Sequence, residues 1–391
     1  MLCCSLGTSL MNSPPISESA VIREGSLFLC PSRELSGDLM ARKRALRLGV
    51  VGLGFGVDVH VPAFGLLSDV EVVALLGRNA DKAASVERHL RIPVLTDAQR
   101  FFAFGLDAVS VAVPPGQVEA IVEHCHAHRL PVLCEKPLGA NMPVAQRMAQ
   151  RYSNLTTALG FEFAELTTFL ALHGLIAARK LGDLRHIQVT WLTESWVHRS
   201  GAWSWKTDAD RGGGVLNLFG THVLYLMEWL AGPVVALSAR LDSRVTDQLK
   251  PNAGARAAED LVHATFDHAS GAVTSITIGN ANPGLTAHQW TVVGSTGTAV
   301  IDNSTRDYMG GFRLVATSAC GEQLLDVSEP VINGDGRLPP FKRLAERFVA
   351  AVRAGTTCHP GFGEGARVQL LVDTIRQAAL EGRTIEVRRP V

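Results

Sequence analysis

The chain has 391 residues, 47% hydrophobic and 19% charged: enough apolar material for two cores and too much for a disordered polymer. Lysine plus arginine equals aspartate plus glutamate at 37 each, so no net field favours nucleic acid, and a neutral chain suits small-molecule binding. Seven scattered cysteines without a CxxC argue against a disulfide framework; with no bilayer-length apolar run and no evident signal peptide, the cytoplasm is the expected location.

Residues 1–44, rich in Ser, Pro and Gly, read as a disordered tail, with Met40 a plausible alternative start. The pattern then changes. Apolar strands are expected over residues 46–52, 70–76, 107–113 and 130–134, alternating with helices over 60–67, 81–90 and 117–128. That alternation predicts a doubly wound parallel sheet, a Rossmann-type domain over residues 45–160. Beyond Gly160 the texture differs. Helices are expected over 167–181, from the triple glycine 212–214 to Trp229, over 341–354 and over 364–381. Extended segments are expected over 186–196, 235–244, 261–266, 272–279, 289–293, 298–302, 312–317 and 384–388. Residues 161–391 therefore read as an α+β domain with an open-faced, largely antiparallel sheet, and the whole chain as α/β.

The first strand runs into Gly52-Leu53-Gly54-Phe55-Gly56-Val57. The first glycine permits a tight strand-to-helix turn, and the second lets the backbone approach a pyrophosphate seated on the helix N-terminus. The usual third glycine is Val57 here, with Gly56 beside it. An acidic residue at the end of the second strand would hold the ribose hydroxyls of NAD; this chain has Leu76-Gly77-Arg78-Asn79 there. Arg78 suits a 2′-phosphate, so NADP is favoured over NAD.

The glycine turn, the following His60, and a strand ending in Cys134-Glu135-Lys136-Pro137 together resemble the glucose–fructose oxidoreductase/inositol dehydrogenase/rhizopine catabolism family. The later Gly212-Gly213-Gly214-Val215-Leu216-Asn217-Leu218-Phe219-Gly220-Thr221-His222 looks like that family's second signature. The resemblance implies hydride transfer between nicotinamide and a sugar, sugar derivative or cyclitol. It also implies frequent homo-oligomers through the sheet. Lys136 matches the family's active-site lysine and His222 its catalytic histidine. The expected cofactor contacts are Gly52, Gly54, Phe55, Gly56, Arg78, Pro114, Glu135 and Lys136.

Three departures stand out. The family's Asp four residues before the histidine is Leu218, with Asn217 expected to face away; its Asp three residues after is Tyr225, whose hydroxyl is within conceivable reach of His222. Glu162 stands in a stretch, 160–164, where relatives tend to carry arginine. Trp203, Trp205 and Lys206, in an aromatic and charged run before the triple glycine, are candidate substrate contacts, together with Tyr225; a subunit interface explains that run equally well. His124, Cys125, His126 and His128 crowd one helix but lack a metal-binding motif, so no metal is expected.

Two further readings stay open: a non-catalytic dinucleotide- or sugar-sensing regulator, favoured by Leu218 and Tyr225, and glycoside hydrolysis through transient oxidation. No nucleic-acid or membrane partner is expected. A chain beginning at Met40 is expected to match the full chain in melting temperature and cofactor affinity; a loss of several degrees would show that earlier residues pack on the body.

Overall fold

The computed structural model describes residues 44–318, 321–325, 327, 329, 332 and 334–387. Residues 1–43 of the expected tail, the start at Met40 and the end of the last expected strand at Arg388 lie outside them.

Six strands form a wholly parallel sheet: β1 (Leu46–Val51), β2 (Val70–Leu76), β3 (Val94–Leu95), β4 (Ala108–Val111), β5 (Val132–Cys134) and β6 (Thr157–Leu159). Their order is β3-β2-β1-β4-β5-β6, so the order reverses beside β1, where a crevice opens at the carboxyl ends. β4 and β5 are buried at every position, as strands covered by helices on both faces must be.

The second sheet has nine strands: β7 (Leu184–Glu194), β8 (Val234–Asp242), β9 (Leu261–His268), β10 (Val273–Gly279), β11 (Ala281–Gly294), β12 (Gly297–Asn303), β13 (Arg313–Ser318), β14 (Gly321–Leu325) and β15 (Ile385–Glu386). They lie in the order β14-β13-β12-β11-β7-β10-β9-β8-β15. Every pair is antiparallel except β7 with β10. In β9 the residues Val262, Ala264, Phe266 and His268 are buried while His263, Thr265 and Asp267 between them are exposed, so one face is covered and the other is open.

Several elements go beyond the sequence reading. The short β3 and β6 and the strand β14 were not expected, nor was the helix Met142–Arg151. That helix carries its start signal in the sequence, since the Asn141 side chain accepts from Val144 N at 3.1 Å and Pro143 sits in the first turn. Two expected plain helices each open on a wider π turn, Gly56–His60 before Val61–Gly65 and Leu216–Gly220 before Thr221–Ala231.

The chain also returns late to its first sheet. The helix Leu338–Ala354 buries Leu338, Phe341, Leu344, Ala345 and Phe348 in one cluster with Leu48, Val50, Phe64, Leu133 and Ala158. Phe341 lies 4.3 Å from the His60 ring and 6.3 Å from Phe64 between ring centres. The next helix, Phe362–Glu381, packs on Met142–Arg151, and Met142 N donates to Asp373 Oδ2 at 2.8 Å. Phe341→Ala should therefore destabilise the side of the molecule built on the first sheet, by about 3–5 kcal/mol, from the lost burial and the cavity left behind. Chemical unfolding of the two proteins measures this; a change below about 1 kcal/mol would mean the helix is not part of that core.

Candidate active site

At the end of β1 the chain turns at Gly52, whose φ of +115° an L-residue rarely adopts; a Cβ there would lie 2.2 Å from the Ala112 carbonyl oxygen. Gly54 faces open space on the cavity wall. Gly56 lets the helix settle on β1, where an added Cβ would meet Val50 Cγ1 at 3.2 Å. Gly56, beside the position where the usual third glycine is Val57, thus supplies the close helix–strand contact.

One cavity of about 1010 Å³ runs from this turn to the second sheet. Of the expected cofactor contacts, Gly52, Gly54, Phe55, Arg78, Pro114, Glu135 and Lys136 line it; Gly56 sits behind the wall. Arg78 is exposed and has no ion-pair or hydrogen-bond partner among the described residues, and Lys82 lines the same end. Asn79 between them caps the helix Ala80–Leu90 by accepting from Lys82 N at 2.8 Å.

Lys136 follows β5. Its Nζ donates to the Leu218 carbonyl at 2.7 Å, a bond from the first sheet's edge to the turn that leads into His222. Burial pulls the ammonium below its ordinary range, opposed by Glu162 and then Glu135, while Lys206 adds a little to the fall. Glu135 lies against Gly160, where a Cβ would come within 2.5 Å of Oε1, and its other neighbour is His60 Nε2 at 3.3 Å. His60 in turn is bonded through Nδ1 to Ser110 Oγ at 2.7 Å. Burial pushes the Glu135 carboxyl up to about 7 against the pull of Lys136, and holds His60 down at about 3.

His222 is 3% exposed, with Phe163 at 4.7 Å and Phe161 at 6.2 Å between ring centres. Its Nε2 stands 3.9 Å from Glu162 Oε1, and its Nδ1 is buried without a partner among the described residues. Burial, then Lys136 and His288, holds the imidazole well below its usual value. Glu162, 5% exposed, is raised to about 8 by burial and by Glu135, with Lys136 and Arg337 opposing.

The substrate candidates divide. Trp205 and Lys206 line the cavity, the ammonium 6.0 Å from the Trp205 ring centre. Trp203 does not line it. Tyr225 faces away: it stacks on Phe161 at 4.5 Å and lines a separate 390 Å³ cavity, so it is not the partner of His222 that its position in sequence suggested. Asn217, expected to face away, lines the cavity; its Nδ2 donates to the Gly212 carbonyl at 3.1 Å, and its Oδ1 is buried without a partner among the described residues. It sits in the π turn Leu216–Gly220, whose wider winding departs from the regular helix behind that expectation. His124 and His128 both stack on Phe102, at 5.4 and 5.3 Å, as packing residues.

Glu162, Asn280, Tyr308 and Arg337 also line the cavity and were not chosen from the sequence as site residues. Arg337 lies 5.7 Å from the Phe55 ring centre and is forked onto Asp335 at 2.7 and 2.9 Å. It arrives from just before the returning helix Leu338–Ala354, so nothing in its local sequence marks it.

These buried groups set a pH window for stability. His60 and His288, both near 3 in the fold, bind fewer protons than in the unfolded chain, so their contribution is lost as pH falls from 6.5 toward 3. Glu135 and Glu162, near 7 and 8, bind more protons than when unfolded, so theirs is lost as pH rises from 4.5 toward 8. The melting temperature should fall on both sides of the range between 4.5 and 6.5, where the two slopes oppose each other. His60→Gln should flatten the acid limb in thermal scans across pH; an unchanged limb would remove His60 as its source.

The comparisons with known proteins agree across the chain. Residues 46–162 match the model of the oxidoreductase family with an NAD-binding Rossmann fold, and residues 169–300 match the GFO/IDH/MocA C-terminal domain. An uncharacterised oxidoreductase of Synechocystis sp. is 26% identical over 363 residues, 89% of this chain and 98% of its own. D-apiose dehydrogenase of Rhizobium rhizogenes is 23% identical over 364 residues, 88% of this chain and 97% of its own. The structure of levoglucosan dehydrogenase in complex with NADH and levoglucosan superposes with a TM-score of 0.79 at 19% identity, covering 88% of this chain and all of that one. With both of its sheets matched in this way, the chain belongs to the GFO/IDH/MocA family of NAD-binding oxidoreductases.

Proposed function

We propose that the chain is a dehydrogenase acting on a sugar, sugar derivative or cyclitol, with NADP preferred over NAD. Residues 45–160 hold the dinucleotide, and residues 161–391 carry the substrate contacts and the surface for a homo-oligomer. The observation that carries the reading is the single cavity joining the Gly52–Gly56 turn to Lys136, His222 and Glu162. D-apiose dehydrogenase and levoglucosan dehydrogenase, both similar over most of this chain, are named for sugar substrates.

The residues present fit a dinucleotide. Gly54 leaves the wall bare where a side chain would intrude, and with Val57 N and Asp58 N bonded to the Gly54 carbonyl, the N–H groups of Phe55 and Gly56 are the ones left for a pyrophosphate. Arg78 and Lys82, with no acidic side chain beside them on the cavity wall, suit a 2′-phosphate better than a free 2′-hydroxyl. When bound, the nicotinamide accepts or donates the hydride. The chain's own part is to orient the alcohol and manage its proton. Lys136 presents an ammonium at the carboxyl edge of the sheet, where it stabilises negative charge developing on a substrate oxygen. His222 exchanges the hydroxyl proton, and Trp205 with Lys206 borders the substrate end.

NADPH should bind more tightly than NADH, and Arg78→Ala should narrow the gap by one to two decades, the worth of one charged contact of about 1.5–3 kcal/mol. Equal affinities in the parent would dismiss the NADP preference. Lys136→Ala should keep cofactor affinity while lowering turnover on a sugar panel by two decades or more, on the order seen for a lost electrostatic donor. Unchanged turnover would remove Lys136 from the chemistry. A parent that binds cofactor and turns over none of the panel would favour the sensing role, for which the absence of a carboxylate at Leu218 is the specific support.

A further inference from the structure

The helix that carries His222 lacks the family's aspartate one turn earlier, yet the site is not without a carboxylate. Glu162 comes from a different element, the short 3-10 turn Glu162–Glu165 after β6, and reaches the same imidazole. We infer that Glu162 is the positioning residue of this active site: its carboxyl group, in place of one at position 218, orients His222 and shares a proton with it.

Four observations converge. Glu162 Oε1 is 3.9 Å from His222 Nε2, so closing the gap by about 1 Å, a side-chain adjustment, makes a hydrogen bond. Both residues line the cavity. Glu162 Oε2 and His222 Nδ1 are each buried without a partner among the described residues, an arrangement that costs stability and is retained at functional positions. Finally, Lys136, bonded to the Leu218 carbonyl, faces both Glu162 and His222, so the three groups meet in one place.

The groups facing the pair are Lys136, Glu135, Arg337 and Tyr308 around Glu162, and Lys136 and His288 around His222. In that company Glu162 titrates near 8 while the imidazole stays neutral through the neutral range. Below that value the carboxyl O–H donates to Nε2, so the ring carries its proton on Nδ1. Above it the carboxylate accepts from Nε2–H, and Nδ1 becomes the free base. The carboxyl group of Glu162 thus sets which ring nitrogen carries the proton, and it can take up or return the Nε2 proton as the ring changes tautomer.

The inference rests on the dehydrogenase reading for its kinetic arm only. The direct test is nitrogen NMR of the full chain labelled with 15N-histidine, with His222 assigned by the signal lost in His222→Asn. In the parent, the two ring-nitrogen shifts of His222 should exchange as pH passes about 8; in Glu162→Gln, an isosteric change, they should not. Leu218→Asp added to Glu162→Gln should restore a pH response, because it returns a carboxylate one turn from the ring. In turnover, Glu162→Gln should lose the alkaline inflection and at least tenfold in kcat with cofactor Kd unchanged. A parent His222 that is silent near pH 8, or that responds equally in Glu162→Gln, overturns the inference, and the parent titration decides this even if the variant fails to fold. A parent with the paired titration and no turnover of any sugar supports the pairing while removing the dehydrogenase reading.

Discussion

The bond from Lys136 Nζ to the Leu218 carbonyl holds this molecule's chemistry together. It runs from the end of a parallel strand in one sheet to the first turn of the helix that serves the other. A lysine is costly to bury, and it is tolerated here because a backbone oxygen and two carboxyl groups, Glu162 and Glu135, surround it. Those carboxyl groups are in turn destabilised by burial and lean on the same ammonium. The result is a set of groups none of which has its ordinary proton affinity, gathered at the one edge of the sheet where a ligand can reach them.

That arrangement explains why the departures from the family pattern do not leave the site empty. Under the proposed pairing, the carboxyl group that Leu218 does not supply comes from Glu162 in the turn after β6, and Asn217, in the π turn Leu216–Gly220, lines the cavity as well. Family resemblance reads chemistry by position along the chain; the cavity reads it by position in space.

The parallel sheet was legible because it is built from local signals: short apolar runs, two running into glycine and two on to proline, alternating with segments of helical period. The glycine turn and Lys136 belong to that grammar, since each sits directly after a strand whose end defines the ligand edge. The second sheet was legible in outline, as a series of extended segments beyond Gly160, but the parallel pairing of β7 with β10 depends on long-range register that no local pattern encodes. Glu162 was visible as an oddity without a partner, because its partner His222 lies on another element. Arg337 was invisible for the same reason, and Tyr225 was misplaced because its stacking on Phe161 outweighs any reach toward His222.

The return of the helix Leu338–Ala354 to the first sheet bears on how the protein is made. A ribosome delivers the glycine turn and every strand of the parallel sheet well before it delivers Phe341 and Phe348. Until those rings arrive, the cluster around Leu48, Val50 and Phe64 lacks its last partners. The first sheet's core is therefore completed only by residues from the far end of the chain.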